Sequence, residues 1–259
     1  MQPSFITLTA NRRIAYHLTE GASPTVVFMG GFRSDMTGTK ALALEAFCRV
    51  RGQRFLRFDY TGHGQSSGDF MQGSIGAWKR DAVDMLDQIV KGPCILIGSS
   101  MGGWLMLLAA LERKDQVRGL VGIASAPDFT QSMIEHELKE NQKREIAENG
   151  VTYVPDCYGD KPFPITRTLI EDGRNHLLLG KPIALNVPVR LIHGTKDNDV
   201  PWQVSQKLLE SLTSPDVKLT LIKDAGHRLS EPPQLEILCG YVEELLSSAP
   251  NGIMTMPSQ

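Results

Sequence analysis

The spacing of apolar positions changes several times along the chain, and each change marks an element. Ser4 to Leu8 and Arg13 to Leu18 alternate apolar and polar residues on either side of Ala10-Asn11-Arg12, the pattern of an edge hairpin with one wet face. At Thr25 to Met29 the alternation gives way to a short apolar run, as expected of a strand buried on both faces, and the run ends at Gly30-Gly31-Phe32. Thr39 to Val50 then shows helical spacing through Leu42, Leu44 and Phe47. Phe55 to Phe58 reads as the next strand, 59–76 as a turn-rich stretch, and Trp78, Ala82, Met85, Leu86 and Ile89 as one face of a helix. A strand at Pro93 to Ile97, a helix at Trp104 to Leu111 and a strand at Leu120 to Ala124 follow. Farther on come a strand at Val189 to His193, a helix at Pro201 to Leu212, a strand at Val217 to Ile222 and a helix at Pro233 to Leu246. Strands alternating with helices at this interval predict an α/β fold: a mostly parallel, eight-stranded sheet covered by helices on both faces.

Between Pro127 and Val187 the alternation is interrupted. Residues 129–149, rich in Glu, Lys and Gln, read as one long amphipathic helix, 150–165 as an irregular loop, and Ile165 to Leu179 as a second helix. The segment is longer than an ordinary crossover, and an insert of this kind in a sheet enzyme is expected to lie over the strand ends as a lid. The domain organisation that follows is a core of 1–126 and 188–259 with a lid insertion at 127–187. Ser247 to Gln259 is polar and proline-containing and reads as a frayed end.

Composition narrows the class. A chain of 259 residues with 41% hydrophobic and 22% charged residues can bury one full core. Its net charge of −2, with no basic block interleaved with aromatics, gives no electrostatic drive toward nucleic acid or anionic lipid. Met1 to Ala10 has neither a secretory pattern nor an Arg- and Ser-rich transit pattern, and the longest apolar run falls far short of a membrane span. Cys48, Cys94, Cys157 and Cys239 lack metal spacing and read as reduced thiols, two or three of them in the core. These features lead to the expectation of a cytoplasmic protein without stable membrane anchoring.

The chemistry is concentrated at Gly98-Ser99-Ser100-Met101-Gly102, which joins an apolar strand to an apolar helix. A serine at the apex of such a turn projects its hydroxyl beyond the sheet, beside the unpaired N–H groups of the helix that follows. To become a nucleophile it needs an imidazole base, and the imidazole needs a carboxylate on its far nitrogen. In a parallel sheet these partners must leave the carboxyl ends of strands. His193-Gly194-Thr195-Lys196-Asp197 and Asp224-Ala225-Gly226-His227 do so, which makes Asp197 the acid and His227 the base, in the chain order Ser100, Asp197, His227. Asp128 and Asp199 are the competing acids; His193 reads as a packed or hydrogen-bonded structural residue, and His17, His63, His136 and His176 lack suitable context. An oxyanion hole requires two backbone N–H groups, assigned to Met101 and Phe32, with Gly31 or Arg33 as alternatives to Phe32. Asp59 to Ser66 reads as a turn-building loop rather than a second catalytic site. No His/Cys/Asp/Glu group has metal spacing, so neither a metal nor a cofactor is expected.

Together, Gly98 to Gly102, the glycine pair at 30–31, Asp59 to Ser66, His193 to Asp197 and Gly226-His227 resemble the α/β-hydrolase superfamily over nearly the whole chain. More narrowly, Gly31 to Ala41, Gly98 to Met106 and Val200-Pro201-Trp202-Gln203 resemble the subgroup that contains the mitochondrial acyl-protein thioesterase called abhydrolase domain-containing protein ten. The resemblance implies removal of S-linked palmitoyl groups and cleavage of acyl glucuronides, with Ser100 as nucleophile, Asp197 as acid and His227 as base. Gly30 departs from the pattern, standing where many superfamily members have histidine. The expected function is a serine hydrolase acting on a small ester, an acylated thiol or an acylated protein. Acyl transfer, carbon–carbon bond hydrolysis and a non-catalytic receptor remain as alternatives. Phe129 and Met133, on the apolar face of the insert, and Arg33, facing an anionic leaving group, are the expected substrate contacts.

Overall fold

The computed structural model describes residues 2–10, 12–155 and 161–248. Ten strands and eight helices follow one another in the described chain: β1 (Ser4–Thr9), β2 (Arg12–Thr19), β3 (Ala22–Met29), α1 (Thr39–Val50), β4 (Gln53–Phe58), α2 (Ile75–Met85), β5 (Cys94–Ser99), α3 (Met101–Glu112), β6 (Val117–Ile123), α4 (Phe129–Ser132), α5 (Glu140–Asn149), β7 (Val151–Val154), β8 (Phe163–Thr166), α6 (Arg167–Gly173), β9 (Val189–Gly194), α7 (Gln203–Ser211), β10 (Val217–Ile222) and α8 (Pro232–Ser248). Eight strands form one sheet in the order β1-β2-β4-β3-β5-β6-β9-β10. Its β1–β2 and β2–β4 pairs are antiparallel and the rest parallel, as the hairpin pattern and the later apolar runs predict.

The period of two along β5 shows why the central strands are apolar throughout. Cys94 and Leu96 face one core with α2 and α3, while Ile95 and Ile97 face a second core with α1 and α8. Every residue of β5 is buried, and so are ten consecutive residues of α3, from Met101 to Ala110. A helix apolar all round must be enclosed on all sides; α3 lies between the sheet, α2 and the insert. The β3–β5 pairing sets Met29 opposite Gly98, so both strands end at the same level of the sheet.

The insert departs from its expected form. Residues 129–149 are not one helix: α4 passes into a π-helical segment at Met133–Glu137, Leu138 is extended (φ −77°, ψ 133°), and α5 starts afresh at Glu140. The break lets Met133 and Leu138 both reach the main core, while polar α5 turns outward and buries only Ile146. The expected loop at 150–165 contains a hairpin, with Val151–Val154 paired antiparallel to Phe163–Thr166. Pro164 is tolerated because each strand of a two-stranded ribbon has a free edge. The second helix is shorter than its apolar pattern: α6 is capped by the Thr166 hydroxyl, which accepts from Leu169 N at 3.1 Å, and ends in a single 3-10 turn at Arg174–His176. The expected frayed tail lies outside the described residues beyond Ser248, as does Cys157. Cys48 and Cys94 are buried free thiols and Cys239 is a partly buried one.

Candidate active site

Ser100 sits between β5 and α3 in a backbone conformation, φ 55° and ψ −122°, that a residue bearing a Cβ rarely adopts. Such a conformation costs on the order of 1–3 kcal/mol and persists only where the surroundings enforce it. Here Ser100 N donates to Ile123 O at 2.9 Å, and Ser100 O accepts from Gly103 N at 2.8 Å and Ala126 N at 3.0 Å. The turn also depends on Gly102, where a Cβ would stand 2.1 Å from Met29 O.

The structure brings three of the predicted side chains into one line. Ser100 Oγ lies 3.1 Å from His227 Nε2, and His227 Nδ1 lies 2.7 Å from Asp197 Oδ2. Nδ1 faces a carboxylate and so carries the ring hydrogen, which leaves the Nε2 lone pair to accept the Ser100 proton. Asp197 follows β9, as expected, and its other oxygen, Oδ1, accepts from Asp199 N at 2.9 Å and Val200 N at 2.8 Å. A further donor on Oδ2, not expected from sequence, is His193 Nε2 at 3.0 Å. Burial alone would raise the Asp197 pKa, but hydrogen bonds from His193 and His227 outweigh it and hold the carboxyl far below the usual carboxylate range.

The competing acids are used differently. Asp128, at the exit of β6, accepts from Leu178 N and Leu179 N, both at 2.8 Å, and so ties the end of the insert to the sheet. Asp199 groups with Asp197 and His227, with ligand atoms within 4.8 Å of one another, a cluster that sequence spacing did not reveal. The Asp197 oxygens in that cluster already receive four N–H donors, which makes the group a hydrogen-bonded relay rather than a vacant ligand set.

The turn after β3 runs beside the nucleophile: a Cβ on Gly31 would lie 3.3 Å from Ser100 Cβ. The Gly31 carbonyl accepts from Ser34 Oγ at 2.7 Å and Ser34 N at 3.2 Å. In a trans peptide the Phe32 N–H then points the opposite way. Among the described residues nothing accepts from the N–H of Phe32 or of Met101. The Arg33 N–H, an alternative donor on sequence, is taken by His63 Nε2 at 3.2 Å.

The expected substrate contacts scatter. Phe129 packs its ring 5.7 Å from Phe32 and 5.8 Å from Trp104, at the junction of insert and turn. Met133 is buried in the main core instead of facing an open pocket. Arg33 is exposed, with its guanidinium 4.7 Å above the ring of Phe163.

Comparison with known proteins agrees with the fold. Residues 22–149 match a family model described as serine aminopeptidase, S33. The mouse protein named palmitoyl-protein thioesterase ABHD10, mitochondrial, is 38% identical over 244 residues, covering 94% of this chain and 82% of that one. The chain belongs to the α/β-hydrolase family. Two solved structures of family members resemble it over nearly their whole length. Mouse alpha/beta hydrolase domain-containing protein 10 has a TM-score of 0.88 and 38% identity, covering 95% of this chain and 99% of that one. A putative hydrolase from Agrobacterium vitis S4 has a TM-score of 0.89 and 39% identity, with 94% and 97% covered. As a family member of this kind, the chain is a serine hydrolase.

One expectation is corrected by these relatives. The cytoplasmic location inferred from the N-terminal composition does not stand, because the mouse, rat and cattle α/β-hydrolases similar to this chain are named as mitochondrial. Among the described residues no helix is long and apolar enough to cross a membrane.

Proposed function

We propose that this α/β-hydrolase cleaves carboxylic esters and thioesters through an acyl-enzyme on Ser100, with His227 as base, Asp197 as its acid partner, and the Phe32 and Met101 N–H groups as oxyanion hole. The observation that carries the reading is the position of His227, 3.1 Å from the Ser100 hydroxyl and 2.7 Å from the Asp197 carboxylate. Ser100 Oγ attacks the acyl carbon while its proton passes to His227 Nε2. The carbonyl oxygen, now an anion, is stabilised by the two backbone donors, which are already in place before charge develops. Collapse of the tetrahedral intermediate expels the alkoxide or thiolate, and His227 returns the proton to it. Water then repeats the sequence: it gives its proton to His227, attacks the acyl-enzyme, and releases the acid with the proton restored to Ser100.

The substrate reading is an S-acylated thiol with a long acyl chain, on a small molecule or on a protein. It is supported by the relatives named palmitoyl-protein thioesterase and by the apolar side chains that the insert, residues 127–187, offers beside the oxyanion turn. In this reading the insert is a lid on a core of 1–126 and 188–259, and Phe129 lines the acyl path.

A fluorophosphonate should label wild type once, at Ser100, and should not label Ser100→Ala. Turnover of a series of acyl thioesters and matched oxygen esters should rise with chain length in both. Labelling at another residue, or full activity in Ser100→Ala, would remove the proposed mechanism. A preference for acetyl over long acyl groups would remove the substrate class alone.

A further inference from the structure

The Gly-His-Gly loop that follows β4 grips the oxyanion turn at several points. Tyr60 Oη donates to Gly30 O at 3.4 Å, His63 Nε2 accepts from Arg33 N at 3.2 Å, and Asp59 Oδ1 accepts from Met36 N at 2.7 Å. Arg57, the residue before last in β4, adds a bond from Nη1 to Met36 O at 3.0 Å. The turn is thereby held at its first residue, its middle and its end. The loop itself is wound tightly enough to do this because Gly64, at φ 47°, leaves room for the Asp59 carboxylate; a Cβ there would stand 2.1 Å from Asp59 Oδ2.

His63 is the middle grip. Its ring is 4% exposed and enclosed by Tyr60, Phe70 and Trp78, with centroids 5.6, 5.1 and 5.1 Å away. Burial depresses its pKa to about 4, so the imidazole is neutral and Nε2 keeps a lone pair for the Arg33 N–H. Its other nitrogen faces Thr61 O at 3.4 Å. Arg33 is itself in the left-handed region, φ 61°, which a non-glycine residue holds only under constraint. The Phe32–Arg33 peptide is thus fixed on one side by His63, while Ser34 fixes the Gly31–Phe32 peptide on the other.

We propose that His63 is a positioning residue for catalysis, its acceptor nitrogen holding the Arg33 N–H so that the neighbouring Phe32 N–H stays aimed at the oxyanion. The proposal rests on the reading of Phe32 as an oxyanion donor. It predicts a loss that appears only when charge develops on the substrate oxygen, since His63 acts through the Arg33 backbone and, among the described residues, its hydrogen bonds and ring contacts do not include Ser100.

The test compares wild type with His63→Phe, which keeps a ring but has no acceptor, and His63→Gln, whose amide oxygen restores one. Turnover of p-nitrophenyl butyrate and inhibition by phenylboronic acid, a tetrahedral mimic on Ser100, are measured together. In His63→Phe, kcat should fall about ten- to hundredfold with KM within about twofold, and boronate affinity should weaken by a similar factor. His63→Gln should recover most of both. A kcat for His63→Phe within about twofold of wild type overturns the proposal, as does a loss confined to KM with boronate affinity unchanged. If His63→Phe does not fold, His63→Asn takes its place under the same criteria, its shorter side chain falling short of the Arg33 N–H. Fluorophosphonate labelling of wild type at Ser100 separates the two readings: labelling with a normal His63→Phe rejects the grip alone, whereas no labelling rejects the site.

Discussion

His193 and His227 approach the same oxygen of Asp197, the first through Nε2 at 3.0 Å and the second through Nδ1 at 2.7 Å. His193 Nε2 also faces Val200 O at 2.9 Å, so it carries hydrogen, and its Nδ1 lies 2.7 Å from the Ser205 hydroxyl. One carboxylate oxygen is therefore shared between the proposed base and a fully buried structural imidazole. A second donor steadies the carboxylate but draws density away from the bond to His227. Replacing His193 by Phe should lower kcat/KM by about tenfold, from the loss of a charge-assisted hydrogen bond. Rates on a short ester check this; a kcat/KM within about twofold of wild type would show His193 to be packing only.

The acid can be assigned by comparing two substitutions. Asp197→Asn should reduce kcat by about 10⁴-fold, as expected when the imidazole loses its orienting carboxylate. Asp128→Asn should leave turnover of a short ester within about threefold. Its amide cannot accept from both Leu178 and Leu179 as the carboxylate does, so it should cost about 1–3 kcal/mol of stability, read by urea unfolding. The reverse ranking of activities would move the acid to β6.

Acid stability should report on His63. Its folded pKa, about 4, lies below the unfolded value near 6.5. Between those values the unfolded chain binds the proton and the folded one does not, so stability falls as pH drops from 6.5 to 4 and is level above. The loss amounts to about 3 kcal/mol at the lower end. His63→Gln should remove that slope, so unfolding curves at pH 4.5 and 7 should differ less in the variant than in wild type. Equal slopes would mean that another group controls the acid side.

Gly102→Ala tests the contact beneath the nucleophile. The added methyl would have to displace backbone, since Met29 O and Gly30 O stand 2.1 and 2.4 Å from its position. The expected result is a destabilisation of at least about 3 kcal/mol, together with loss of turnover in whatever folds. A stable, active Gly102→Ala enzyme would contradict the packing described.

Periodicity made the sheet legible because each central strand is buried on both sides: Thr25 to Met29 and Pro93 to Ile97 have no polar break that could suggest another element. The Ser100, Asp197 and His227 side chains were legible from a topological rule about strand ends. The insert was misread where local composition and tertiary demand diverge. Glu- and Lys-rich residues 129–149 have helical propensity throughout, yet the core takes up Met133 and Leu138 and breaks the helix between α4 and α5. Pro155, Pro162 and Pro164 hid a ribbon too short to show alternation. His63 was passed over, and the Asp197 partner of the structural His193 was not foreseen, for a different reason. His193 bonds a carboxylate four residues on and His63 accepts from a backbone N–H distant in sequence, and sequence spacing carries no sign of an acceptor aimed at an N–H; only the glycines flanking His63 hinted at a wound loop.

The two proposed oxyanion donors each stand three residues beyond a registered pair, Met29 opposite Gly98 on adjacent parallel strands. The gap they span therefore derives from the distance between hydrogen-bonded strands, about 4.8 Å in any sheet. Such a gauge is set by the sheet, and the loop after β4 holds one of the two turns against it. The insert between β6 and β9 meets the first of these turns directly, where Phe129 and Phe163 lie 5.7 and 6.0 Å from Phe32. A change in the apolar face of the insert is therefore felt directly at the Phe32 turn, whose backbone is held by the sheet and by the loop after β4.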